Sequence, residues 1–250
     1  MKLDANKKQF IPYIMAGANG LDRLESELRL LEKHGATAIE LGIPFSDPVA
    51  DGPVIEQAGI SARKKGVTLQ KVLNFLQQHT FCVPIILMGY ANSFVHYGSS
   101  ALAKALEHTQ VQGLIIPDLP YEHRELITAD LPDSITLITM VSLTSSPERI
   151  QLLTQEATGF IYAVTLNGVT GKQQAHTELA PYFQAIKQTT AIPVCAGFGI
   201  HTAQDVAYFL SICDGIVIGS AIVQKLATAS LEEVDSFLTE LLAPLHHPVY

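Results

Sequence analysis

Eight short apolar runs recur along the 250 residues about 29 positions apart, and that period restricts the fold more than any other feature. They are 10–17 (FIPYIMAG), 36–43 (ATAIELGI), 83–90 (VPIILMGY), 112–119 (QGLIIPDL), 134–141 (SITLITMV), 159–166 (GFIYAVTL), 192–199 (IPVCAGFG) and 215–222 (GIVIGSAI). Most are continuous rather than alternating, as in strands covered on both faces. Pro12, Pro84 and Pro193 fall near strand starts, where a missing N–H donor is tolerated. Helical periods lie between the runs. Leu21 to His34 puts Leu24, Leu28 and Leu31 on one stripe with charges opposite, and Val67 to Gln78 does the same with Leu69, Val72, Leu73 and Leu76. Ser146 before Pro147 reads as a capped helix start, and Thr202 opens another helix after the seventh run. Eight such units predict an α/β fold, a (β/α)8 TIM barrel with a parallel eight-stranded barrel inside outer helices. An open doubly wound sheet is the alternative, opposed by the regularity of the units and by the lack of an early G-x-G-x-x-G. No linker or low-complexity tract divides the chain, which predicts one domain over 1–250.

With 48% hydrophobic residues the chain has material for a full core. The net charge is −8, and no basic run exceeds the pairs Lys7-Lys8 and Lys64-Lys65, which disfavours nucleic acid and anionic membranes as partners. An anionic substrate would need a local site built from backbone. Three cysteines, Cys82, Cys195 and Cys213, without framework spacing predict a reducing, cytoplasmic setting. Residues 1–8 carry charges where a signal peptide would be apolar, and no uninterrupted apolar run is long enough to predict a membrane span.

Chemistry concentrates in Glu40-Leu-Gly-Ile-Pro-Phe-Ser-Asp-Pro-Val-Ala-Asp-Gly-Pro53. Strand alternation puts Ile39, Leu41 and Ile43 on one face and Ala38, Glu40 and Gly42 on the other, so Glu40 has small neighbours. Asp51 follows on a loop between Pro48 and Pro53, in the longest interval between runs. Two carboxylates in unlike surroundings suit acid–base work near neutral pH. A core carboxylate neutralised by a cation is the other reading of Glu40. No basic residue stands at a strand tip, and Arg23, Arg29 and Arg149 fall on helices, so an unpaired Glu40 should have a raised pKa. Asp51 alone would read as a turn residue; its pairing with Glu40 makes it a candidate. Asp118 ends the fourth run as a third acid, in a turn or supporting role. Tyr162 is either a core aromatic or a residue facing inward from the sixth run.

Barrels of this kind work at the C-terminal ends of their strands and often bind phosphate after strands seven and eight. There the sequence has Gly197-Phe198-Gly199 and Gly219-Ser220, the second running directly into a helix; Gly168-Val169-Thr170-Gly171 follows strand six. Glycines admit an anion to backbone N–H groups, and a helix N-terminus attracts it. No lysine lies in a strand, the nine histidines show no metal-ligand spacing, and no G-x-S-x-G occurs. What remains is metal-free carboxylate chemistry on a phosphorylated small molecule.

The segment Ile39–Pro48 followed by Ala50-Asp51-Gly52-Pro53 resembles the signature of the tryptophan synthase alpha subunit family. The resemblance continues in order through Met88-Gly89-Tyr90-Ala91-Asn92, Pro117-Asp118-Leu119-Pro120, Gly168–Gly171, Gly197–Ile200 and Gly219–Val223, nearly the whole chain. It implies a lyase of tryptophan biosynthesis that splits indole-3-glycerol phosphate, by a retro-aldol step, into indole and glyceraldehyde 3-phosphate. It further implies Glu40 as the acid–base residue and Asp51 as the anion that holds the indole N–H. Tyr162 would line the site, and Gly171, Phe198, Gly199, Gly219 and Ser220 would surround the phosphate. It implies no cofactor in this subunit, a pyridoxal-phosphate beta subunit as partner in an alpha2beta2 heterotetramer, and Asp47 as a contact to that partner. The chain departs from the family in a short stretch before Phe10, in Gly17-Ala18-Asn19-Gly20, in Thr165-Leu166 where Ser-Arg is common, and in Glu122-His123. Two readings compete: another enzyme on a phosphate-binding barrel, such as a sugar-phosphate isomerase, and a module that regulates a beta subunit without useful turnover of its own.

Overall fold

The computed structural model describes residues 1–165 and 179–246. Nine strands among them are β1 Gln9–Met15, β2 Ile39–Gly42, β3 Ile85–Met88, β4 Val111–Ile115, β5 Thr136–Leu137, β6 Thr139–Val141, β7 Ile161–Val164, β8 Val194–Gly197 and β9 Gly215–Ile218. All pair in parallel, in the order β5-β4-β3-β2-β1-β9-β8-β7-β6. β5 and β6 are one chain segment interrupted at Ile138. The first half pairs with β4 and the second with β7, and Ile138 N–H donates to Leu114 O at 2.9 Å. The ends of the ladder therefore meet in one segment, and the sheet closes as the expected barrel of eight strand segments.

The register shows the closure quantitatively. One rung runs Tyr13–Glu40–Ile86–Gly113–Thr136, and another runs Gln9–Gly215–Cys195–Tyr162–Met140. The two rungs are displaced by four residues on β1 (9 to 13) and by four on the closing segment (136 to 140). Together these give the shear of about 8 that tilts the strands of such barrels. In-register neighbours on parallel strands point to the same face, so these side chains share the barrel interior.

Glycines on the inward face of the strands make room for large neighbours. A Cβ on Gly42 would overlap the Tyr13 phenol, one on Gly197 the Tyr162 ring, and one on Gly215 the Gln9 side chain. The alternate faces, including Ile14, Leu41, Leu87 and Leu114, are buried under the helices. The helix Leu21–Lys33 buries Leu24, Leu28 and Leu31 as its stripe predicts, each stabilising by about 1.5–3 kcal/mol. One charge on it departs from the expected pattern. Glu27 is buried, held by Asn19 Nδ2 at 2.8 Å and Arg23 Nε at 3.1 Å. The helix Pro147–Gln155 starts at Ser146, whose hydroxyl accepts from Arg149 N at 3.3 Å. Ala203–Ile212 starts at Thr202 with a full capping box to Asp205.

No helix precedes β1 among the described residues. Instead the Met1 ammonium donates to Thr136 Oγ1 at 2.9 Å, and Gln9 Nε2 donates to Asp4 O and Lys7 O at 2.6 Å each. These contacts tie the leading segment to the N-terminal ends of the strands, opposite the end where chemistry is expected. No described helix is long and apolar enough to cross a membrane.

Candidate active site

β2 carries Glu40 into the barrel, where it is 3% exposed. No cation and no hydrogen bond meets it among the described residues, and Oε2 is a buried oxygen without a partner. Leaving a buried polar atom unpaired costs about 1–3 kcal/mol, so the fold tolerates this group rather than being held together by it. Burial first, and the charge of Asp51 second, push the Glu40 carboxyl up to about 8.

Asp51 reaches the same cavity from the loop between β2 and the helix Pro53–Lys64, whose first turn begins with proline. It is 9% exposed. Its Oδ1 accepts from Tyr90 Oη at 2.9 Å, and the same phenol oxygen accepts from Ala50 N at 3.1 Å. Tyr90 stands just past β3 and stacks on Phe45 of the loop, with centroids 5.1 Å apart. One aromatic thus holds the loop by a ring face, an acceptor and a donor. Burial raises the Asp51 carboxyl to about 6, with the Tyr90 hydrogen bond opposing the shift and the charge of Glu56 adding to it. Both carboxyls are therefore held above their ordinary range, Glu40 further than Asp51.

The cavity over them has a volume of about 510 Å³, within the usual size of a small-molecule site. Tyr13, Met88, Ile115, Met140, Tyr162 and Val217 give it an apolar wall, and its mouth is formed by Asp51–Ile55, Phe198–His201 and Gly219-Ser220. Tyr162 is buried on β7 with its ring edge-on to Phe198, centroids 6.0 Å apart. Phe198 and Gly199 adopt left-handed backbone, φ 73° and 75°, which is uncommon for a bulky side chain. Thr165 pins that turn, its hydroxyl lying 2.6 Å from Gly197 O and 2.8 Å from Phe198 O. Thr165, one of the positions at which the sequence differs from the pattern it resembles, thus has a structural task here. Gly219 precedes Ser220, the first residue of the helix Ser220–Thr228.

The structure brings Glu40, Asp51, Tyr162, Phe198, Gly199, Gly219 and Ser220 to one cavity. Gly171, with the rest of Gly168–Gly171, lies outside the described residues. Asp47 is exposed on the same loop, two residues before Val49, a large apolar side chain 66% exposed. Asp118 stands in a turn and also has the supporting role, its Oδ1 accepting from Ala91 N, next to Tyr90, at 2.8 Å. Glu122 pairs with Arg149 away from the cavity. Two residues at the site are not evident from sequence: Tyr13, which lines the cavity, and Tyr90, which holds Asp51. An aromatic in a β-run reads as core, and only the Met88–Asn92 block pointed toward Tyr90. Among the described residues no three His, Cys, Asp or Glu side chains stand together as a metal site.

A closed (β/α)8 barrel with a cavity at the C-terminal mouth, floored by an unpaired acid, defines an enzyme of the TIM-barrel class. The model of the tryptophan synthase alpha chain family matches residues 1–244. The alpha chain of Listeria welshimeri is 47% identical over 238 residues, 94% of this chain and 93% of the relative. That of Lactococcus lactis subsp. lactis is 46% identical over 242 residues, 95% and 96% of the two chains. The solved tryptophan synthase alpha subunit of Campylobacter jejuni superposes with a TM-score of 0.86 at 28% identity, covering 96% of this chain and all of that one. The chain belongs to the tryptophan synthase alpha chain family.

Proposed function

We infer that the chain cleaves indole-3-glycerol phosphate to indole and glyceraldehyde 3-phosphate in tryptophan biosynthesis, with Glu40 as acid and base and Asp51 as the fixed anion. The observation that carries this reading is the placement of two buried carboxylates on one cavity, Glu40 without a partner and Asp51 held by Tyr90. At pH 7 a pKa of about 8 leaves Glu40 roughly nine-tenths protonated, and one of about 6 leaves Asp51 roughly nine-tenths ionised. A protonated Glu40 gives its proton to the indole ring carbon that bears the glycerol chain. The ring nitrogen becomes cationic, and the Asp51 carboxylate accepts its N–H and holds that charge. Glu40, now an anion, takes the proton of the adjacent glycerol hydroxyl. The carbon–carbon bond breaks, its electron pair returns to the ring, and the carbinol becomes the aldehyde. Glu40 ends protonated and ready for the next turnover, so no outside acid or base is consumed.

Phosphate fits the other end of the cavity. The left-handed turn at Phe198-Gly199 and the free N–H groups at the start of the Ser220–Thr228 helix offer backbone donors, and Gly171 joins them in this reading. Tyr162 lines the apolar space for the indole. Chemistry of this kind asks for no metal and no cofactor in this subunit. The partner is a tryptophan synthase beta subunit carrying pyridoxal phosphate, in an alpha2beta2 assembly. The exposed Asp47–Val49 loop is the contact, since it is continuous with the loop that ends in Asp51. The chain works as one cytoplasmic barrel domain. Indole release from indole-3-glycerol phosphate by the purified chain, alone and with a beta subunit, tests this. Turnover that rises with the partner and is lost in Glu40→Gln is expected; full activity in Glu40→Gln would remove Glu40 from the mechanism.

A further inference from the structure

Among the described residues, Glu40 Oε2 is one of two buried oxygens without a hydrogen-bond partner on residues lining this cavity; Tyr13 Oη is the other. The two residues are direct register partners on β1 and β2, so their side chains leave the sheet on the same face. The Tyr13 ring has little freedom. It leans over Gly42 of β2, where any Cβ would overlap it, and a Cβ on Gly219 would stand 3.3 Å from its Cδ1. One glycine belongs to the strand of Glu40 and the other to the proposed phosphate turn. The titratable groups whose charges reach the phenol are Asp51, Glu40, Tyr90 and Tyr162. Burial and the two carboxylates hold it neutral far above working pH, so it is an available O–H donor.

We propose that Tyr13 Oη donates a hydrogen bond to the substrate hydroxyl whose proton Glu40 removes, one substrate group thereby satisfying both orphaned oxygens. The inference rests on the lyase reading above. The hydroxyl oxygen accepts from Tyr13 and donates to Glu40. As its proton passes to the carboxylate and the carbon–carbon bond pair moves into the indole ring, negative charge gathers on that oxygen before the aldehyde C=O is complete. A donor fixed by two glycines stabilises this charge without rearrangement.

Tyr13→Phe removes one oxygen and keeps the packed ring. Wild type and variant are compared in steady-state indole release across pH, and in binding of an indole-3-alkyl phosphate that lacks the hydroxyl. The expected result is a fall in kcat of about a hundredfold, with KM within about threefold and both limbs of the pH profile unmoved. The hydroxyl-free phosphate should bind both proteins with equal affinity, a readout that a mere packing role would disturb. Equal kcat in a folded Tyr13→Phe, or a matching loss of affinity for the hydroxyl-free phosphate, would overturn the inference and leave the lyase reading standing. A wild-type chain that releases no indole would overturn both.

Discussion

Replacing Glu40 by Gln should separate stability from activity in a way that depends on pH. The Glu40 carboxyl is at about 8 in the folded protein and at 4.5 as an ordinary glutamate. Between those values the folded chain keeps a proton that the unfolded chain releases. Stability is therefore fully present below the unfolded pKa, declines as pH rises, and is lost in full above the folded pKa. Linkage sets the loss at roughly 2 kcal/mol by pH 6 and roughly 4–5 kcal/mol by pH 8.5. The amide of the Glu40→Gln variant has no proton to exchange, and whatever it costs in this apolar site is constant with pH. Urea unfolding of both proteins at pH 6, 7 and 8.5 would read the difference directly. Relative to wild type, Glu40→Gln should gain about 2–3 kcal/mol between pH 6 and 8.5 while indole release is lost throughout. A difference that stays constant over that range would mean that Glu40 is ionised and compensated in the fold, and the acid–base argument would lose its physical basis.

Tyr90→Phe removes the donor to Asp51 and the acceptor for Ala50 N–H, so it should cost about 1–2 kcal/mol in urea unfolding. The Asp51 pKa should rise further, moving the acid limb of kcat/KM upward; an unmoved limb would show that the hydrogen bond does not tune this carboxylate. Gly42→Ala should lower kcat/KM sharply, because its Cβ displaces the Tyr13 phenol beside Glu40. Gly52 has φ −82° and no neighbour within 4 Å of an added Cβ, so the thermal midpoint of Gly52→Ala should match wild type. Equal activity losses in the two glycine variants would argue against a specific role for the space above Gly42.

The barrel was legible because parallel strands buried on both faces read as continuous apolar runs, and each of the eight runs overlaps an observed strand segment. The break at Ile138 was not, since it arises where one segment must pair with two different neighbours to close the ring. Glu40 stood out as an acid inside an apolar run, and Asp51 as an acid between prolines. Tyr13 did not, because its polar end matters only through a register partner on β2 and a glycine that makes room for it. Tyr90 is tied to Asp51 across 39 residues of sequence, a pairing no local pattern encodes. Glu27 misled in the opposite direction. It sits among the charges of an amphipathic helix, yet Asn19 and Arg23 allow it to be buried.

The most direct test of the central claim is the pH dependence of kcat/KM for indole release from indole-3-glycerol phosphate. If catalysis needs protonated Glu40 and ionised Asp51 together, the profile is a bell centred near pH 7, with apparent pKa values of about 6 and about 8. A rate that rises through a single pKa between about 4 and 5 and stays level to pH 9 would contradict it, placing both carboxylates in their ordinary ionised state.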